Sequence, residues 1–102
     1  MIKHIILWKL KENTGGQDKR TVLQNIKARL EALVGVVPGL ISARVVIDGL
    51  ASSNADAMLD SELESEDALR GYQVHPAHVK AADTYVRPFA EVRLCMDYEE
   101  KQ

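Results

Sequence analysis

The segment Ile2–Leu10 constrains this chain more than any other. Ile2, His4, Ile6, Trp8 and Leu10 alternate onto one face of a strand, and Lys3, Ile5, Leu7 and Lys9 onto the other. Side chains on a strand alternate with a period of two, so the middle of this one is apolar on both sides. Such a strand needs cover on both faces. The rest of the chain must cover both, or cover one and leave the other to a second molecule.

The remaining pattern supplies one layer. Lys11–Gly16 is polar and ends in two glycines, a loop signal. Val22, Leu23, Ile26, Leu30 and Leu33 recur at helical spacing and predict an amphipathic helix from about Asp18 to Val34, stopped by Gly35. Leu40–Ile47 reads as a second strand, with Ile41, Ala43, Val45 and Ile47 on one face. Asp48–Asp56 reads as a loop, and Ala57–Leu63 as a third strand, its Asp60 and Glu62 marking it as the most edge-like. Ser65 is placed to cap a helix running to Tyr72. Gln73–His75 breaks that helix, and Pro76 starts another that runs to about Arg87 before Pro88. Glu91–Tyr98 is the last strand, with Val92, Leu94, Met96 and Tyr98 on its apolar face and Arg93, Cys95 and Asp97 on the other; the tail after it is polar and expected to fray.

The order is β-α-β-β-α-β, the ferredoxin-like α+β pattern of a four-stranded antiparallel sheet with helices on one face. A chain of 102 residues with 46% hydrophobic and 27% charged positions is predicted to be one globular domain over residues 1–102. Ile5 and Leu7 then require a second copy, sheet against sheet, so a homodimer is expected. A formal net charge of -2 argues against a nucleic-acid or anionic-membrane binder. Cys95 is the single cysteine, which excludes an intrachain disulfide. The N-terminus shows no apolar run of signal-peptide length, and the expectation is a soluble cytoplasmic protein.

Chemistry rests on few positions. His4 sits mid-strand on the face expected to meet the helices, together with Ile6 and Trp8. His78 falls in the first turn after Pro76, where a helix N-terminus disfavours the imidazolium. A neutral imidazole is a general base, and Tyr72, six residues earlier across the helix break, is a phenol able to orient a carbonyl or enolate. The alternative reading is that Tyr72, His75 and His78 pin the break by bonding backbone groups. His75, His78 and Asp83 match no standard metal spacing, so no metal is expected, and no motif asks for a cofactor. Cys95, between Leu94 and Met96, reads as a small packed side chain.

Three stretches resemble the stress-responsive A/B barrel (Dabb) family: Met1–Lys11; Glu64–Val79, with its Tyr72 and His75-Pro76-Ala77-His78; and Asp97-Tyr98. The resemblance implies a dimeric α+β barrel built from two packed sheets, and a stress-related role or one with no assigned reaction. It implies a cleft for a small apolar ligand between sheet and helices, lined by His4, Ile6, Trp8, Leu30, Leu59 and Ala81. One plant member is a polyketide cyclase, and its catalytic tyrosine and histidine match Tyr72 and His78, with its cavity histidine matching His4. Where that cyclase has aromatic walls this chain has Leu30, Ala57 and Ala81, and Trp8 stands where the cyclase has a smaller residue. The rival to a non-catalytic role is therefore a cofactor-free enzyme, cyclase-like or isomerase-like, with His78 as base and Tyr72 as orienting acid. A cofactor-free oxygenase is a third reading, by analogy of fold. Some relatives hold a cation on backbone carbonyls after the first helix, here near Val34, Val37 and Leu40.

Overall fold

The computed structural model of the chain describes residues 1–101. Its elements are β1 (Ile2–Leu10), α1 (Lys19–Glu31), β2 (Leu40–Val46), β3 (Ala57–Leu63), α2 (Glu66–Val74), α3 (Pro76–Ala81) continued by a π-helical segment (Ala82–Val86), and β4 (Ala90–Glu99). The four strands form one antiparallel sheet in the order β2-β3-β1-β4, the ferredoxin-like arrangement. The helices cover one face. Ile2, His4, Ile6, Trp8 and Leu10 of β1 and Ala57, Leu59, Ser61 and Leu63 of β3 are all buried there, against Val22, Ile26 and Leu30 of α1. No helix among the described residues is long and apolar enough to cross a membrane.

Several boundaries and neighbours differ from the sequence expectation. Helix α1 ends at Glu31 rather than Val34, because the chain turns through Gly35 at φ 88°, and the N–H groups of Val36 and Val37 both bond the Leu33 carbonyl at 3.0 Å. Strand β3 is interior, not an edge; the edges are β2 and β4. Its acidic residues are tolerated because they point to the face without helices, where the Lys3 ammonium reaches Asp60 at 2.5 Å. In β2 the pairing with β3 shifts register between Leu40 and Ser42, which leaves Ile41 exposed and turns Leu40 inward. Ile41 therefore does not share the buried face of Ala43 and Val45. Of the polar tail, Glu99 closes β4, the Glu100 N–H bonds the Met1 carbonyl at 2.9 Å, and Gln102 lies outside the described residues.

The second helical region is built around one extended residue. Ser65 Oγ accepts the Ala68 N–H at 3.1 Å and caps α2, which runs to Val74, two residues past the expected end. His75 has ψ 132°, the extended geometry a residue before proline prefers. Its ring Nδ1 accepts the Ala77 N–H at 3.1 Å, so His75 is the N-cap of α3. The expected single helix from Pro76 to Arg87 is instead an α-turn that widens into a π-segment, where the Arg87 N–H bonds the Ala82 carbonyl at 2.8 Å. π-Segments recur at functional sites, and this one turns Ala82, Val86 and Arg87 toward the sheet.

Gly39 holds the entry to β2 against α2. Its φ is 81°, its carbonyl accepts the Glu64 N–H at 2.9 Å, and a Cβ there would sit 2.6 Å from the Ala68 Cβ. Gly39→Ala adds left-handed strain to a clash that neither backbone relieves by side-chain rotation. A loss of about 2 kcal/mol or more is expected in urea unfolding relative to the unsubstituted chain.

Candidate functional site

Beneath the helices, β1 and the α2–α3 break meet around one pocket. Its volume is about 70 Å³. That exceeds the ~10–15 Å³ one water needs, and is about half the ~150 Å³ of an engineered apolar cavity that takes benzene. His4, Ile6 and Trp8 from β1, Leu30 from α1 and Leu59 from β3 form its floor; Tyr72, His78 and Arg93 bring polar groups to it. Ala81 does not line the pocket. It is buried in the core, and the adjacent Ala82 takes the lining position because the backbone widens into the π-segment there. Trp8, 4% exposed, is part of the core and of the pocket lining, so its ring takes volume from the pocket.

Tyr72 is 1% exposed, and burial pushes its phenol up to about 12, so it is protonated at neutral pH. No buried side-chain polar atom among the described residues lacks a partner, and the hydroxyl of Tyr72 bonds no protein group among them, so it keeps contact with the open space of the pocket. Its ring lies 4.2 Å from that of His78, centroid to centroid, at 38°. His78 Nδ1 lies 3.3 Å from the Gln73 carbonyl. A carbonyl only accepts, so Nδ1 carries the proton and the neutral ring keeps a free lone pair on Nε2. Burial lowers the His78 pKa from its ordinary 6.5, the bond to the Gln73 carbonyl opposes that, and the positive charges of Arg87 and Arg93 add to the lowering. The direction agrees with the helix-start argument, but the main cause is desolvation.

His4 sits on the other side of Tyr72, edge-on, with centroids 5.9 Å apart. Only 2% exposed, it bonds through Nδ1 to the Asp97 carboxylate of β4, and its backbone carbonyl accepts the Ser61 hydroxyl at 2.7 Å. The carboxylate fixes which ring nitrogen carries the proton. Asp97 was not among the residues singled out for chemistry from the sequence. The signal was its place on the polar face of the last strand, but only the pairing of His4 with Asp97 in the β1–β4 ladder brings the two together. Arg93, opposite Trp8 in the same ladder, was missed for the same reason.

Cys95 is exposed rather than packed, on the edge strand β4. Burial and the neighbouring Asp97 raise its thiol pKa. His4, Cys95 and Asp97 form the one grouping among the described residues whose donor atoms lie within 4.8 Å of one another. His75, His78 and Asp83 form no such group; the ring of His75 is spent on its cap and Asp83 on Arg87. Of the carbonyls after α1, that of Val37 accepts the Leu40 N–H at 3.3 Å.

The fold and site define a ferredoxin-like α+β protein with a histidine–tyrosine pocket between sheet and helices. The family model described as the stress responsive A/B barrel domain matches residues 2–100, and the chain belongs to that family. A dimeric protein of unknown function with a ferredoxin-like fold from Bacteroides fragilis NCTC 9343 is 29% identical, with a TM-score of 0.87 over 97% of this chain and 95% of that one. A dimeric ferredoxin-like protein of unknown function from Thermobifida fusca YX is 26% identical, with a TM-score of 0.78 over 95% and 88%. The hydroxynitrile lyase of Passiflora edulis has a TM-score of 0.76 over 95% and 90% but is 16% identical, a likeness of fold. No curated protein sequence matches the chain.

Two measurements probe this geometry. Trp8→Ala removes a buried ring and is expected to cost ~3–5 kcal/mol in urea unfolding while enlarging the pocket; a loss below ~1 kcal/mol would place the ring outside the core. For His78, the folded pKa lies below the unfolded 6.5. The unfolded chain thus binds more protons as pH falls, so the stability tied to neutral His78 is complete above about 6.5 and lost below it. An NMR titration should place the His78 midpoint below 6.5, and His78→Gln should flatten this part of the stability–pH curve.

Proposed function

We propose that the chain works as a homodimer in which each subunit's pocket binds a small, largely apolar ligand, and that Tyr72 and His78 move a proton on it. The observation that carries the reading is a buried phenol whose hydroxyl has no protein partner, stacked 4.2 Å from an imidazole biased toward its neutral form. A protonated phenol donates a hydrogen bond to a carbonyl or similar oxygen, and a neutral Nε2 takes a proton from the adjacent carbon. His4, held by Asp97, supports Tyr72 from its other edge. The volume of about 70 Å³ and the place of Trp8 favour a ligand of a few carbons over a long polyketide.

The dimer reading rests on the sheet face without helices. Leu7 pairs directly with Leu94, and Ile5 with Met96, across β1 and β4. Leu94 is 61% and Met96 66% exposed, and Val92 and Tyr98 extend the patch. Contiguous apolar surface of this kind marks an interaction site, and the Bacteroides fragilis and Thermobifida fusca relatives are described as dimeric. A cytoplasmic location and a part in stress responses fit the single cysteine and the family's description.

Light scattering at micromolar concentration is expected to give twice the 11.3 kDa chain mass. Leu94→Glu, at a position already exposed in the single subunit, should shift that mass to the monomer. For the chemistry, 2-butanone in D₂O is a suitable probe. Its α-proton exchange, followed by ¹H NMR, should run faster with the protein than in buffer, and Tyr72→Phe and His78→Gln should each lose about 10²-fold or more of the acceleration. Exchange no faster than buffer would overturn the proton-transfer role. Unchanged Trp8 and His78 resonances at saturating ketone would overturn the ligand site as well.

A further inference from the structure

We infer that Arg93 is a carboxylate-recognising residue of this pocket, so that the ligand is a small monocarboxylic acid with its apolar body on the floor and its carboxylate at the mouth. The inference rests on the pocket being a ligand site and adds the class of ligand.

Arg20, Arg70 and Arg87 are ion-paired with Asp48, Asp67 and Asp83, and Arg29 lies over the Tyr85 ring at 4.7 Å. Arg44 is on the helix-free face of β2, opposite Asp60. Arg93 has the Cys95 thiol beside it but no ion pair among the described residues, and it lines the pocket with His4, Trp8, Tyr72 and His78. The carboxylate that could have neutralised it from its own strand, Asp97 on the same face, is engaged by His4 Nδ1 and the Cys95 thiol. Every other charged or titratable group around the pocket is a cation, an imidazole or a protonated phenol: Arg87, held by Asp83, then His4, His78 and Tyr72.

A guanidinium without a counter-ion above an apolar floor is matched by an anion on an apolar body. The planar fork of N–H donors suits a carboxylate, which it holds by two parallel bonds. A single unpaired cation balances a single negative charge, and the small volume limits the body to a few carbons. The charge of Arg93 also lowers the pKa of both Tyr72 and His78. A bound carboxylate cancels that influence, so it raises the His78 midpoint, and by linkage protonated His78 binds the anion more tightly. The position is legible only in three dimensions: Arg93 lies on the face of β4 opposite to that of Val92 and Leu94, and the β1–β4 register sets it beside Trp8.

The test compares isovalerate with its neutral isostere isovaleramide by ¹H–¹⁵N NMR titration of the full chain at neutral pH. Isovalerate is expected to bind about tenfold more tightly than the amide, and to raise the His78 midpoint where the amide does not. Arg93→Met, at an exposed position, should remove about tenfold of isovalerate affinity and leave the amide unchanged. Equal binding of acid and amide to the unsubstituted chain overturns the role of Arg93 and leaves the pocket reading standing. So does a loss that falls on Arg87→Met instead of Arg93→Met. Binding of neither compound at millimolar concentration overturns both readings, since an anion held at Arg93 needs the pocket beneath it.

Discussion

A strand has two faces, and a pair of helical layers in a βαββαβ chain can cover only one of them. Strand β1 is where that limit is felt. It lies between β3 and β4, pairs with both along nearly its whole length, and puts apolar side chains on each side. Its inner face packs under the helices and supplies His4, Ile6 and Trp8 to the pocket. Its outer face leaves Ile5 and Leu7 beside Met96 and Leu94, and so generates the patch on which the proposed dimer rests. Core, pocket and proposed interface are three consequences of one nine-residue segment.

The pocket exists because the second helical region does not continue as a single rod. A proline in a helix interior lacks an N–H and clashes with the preceding turn, so the chain must leave helical geometry before Pro76. His75 makes that exit and caps the next helix with its own ring. The bend brings His78 back over Tyr72, and a hydrogen bond from its Nδ1 to the Gln73 carbonyl ties the two helices across the break. The scaffold and catalyst readings of His78 are therefore not exclusive. One ring nitrogen serves the backbone, and the other has no protein partner among the described residues.

Electrostatics around the pocket run in one direction. Burial keeps Tyr72 protonated and His78 biased to neutral, while Arg93 contributes a positive charge without a counter-ion among the described residues. Asp97, on the same face of β4, is committed to His4. The site is thus rich in donors and positive charge and poor in acceptors, a composition suited to anionic or enolate-like oxygen.

Local patterns along the chain were enough for the element order, the inward face of β1 and β3, the cap at Ser65, the break before Pro76 and the outward apolar stripe of β4. Each is a local property, written in the period of the apolar residues or in the chemistry of a cap or proline. The sequence also brought Tyr72, His78 and His4 into consideration, as single residues. What it left open was everything that depends on register and on how far a helix holds its geometry. The interior place of β3, the bulge at Ile41, the early end of α1, and the π-segment that exchanges Ala81 for Ala82 at the pocket wall were decided by tertiary packing. So were the meetings of His4 with Asp97 and of Trp8 with Arg93, because residues some ninety positions apart become neighbours only when two strands settle on one of several registers. A one-residue slip turns every side chain of a strand to its other face, so the chemistry of this pocket was fixed by the pairing of β1 with β4.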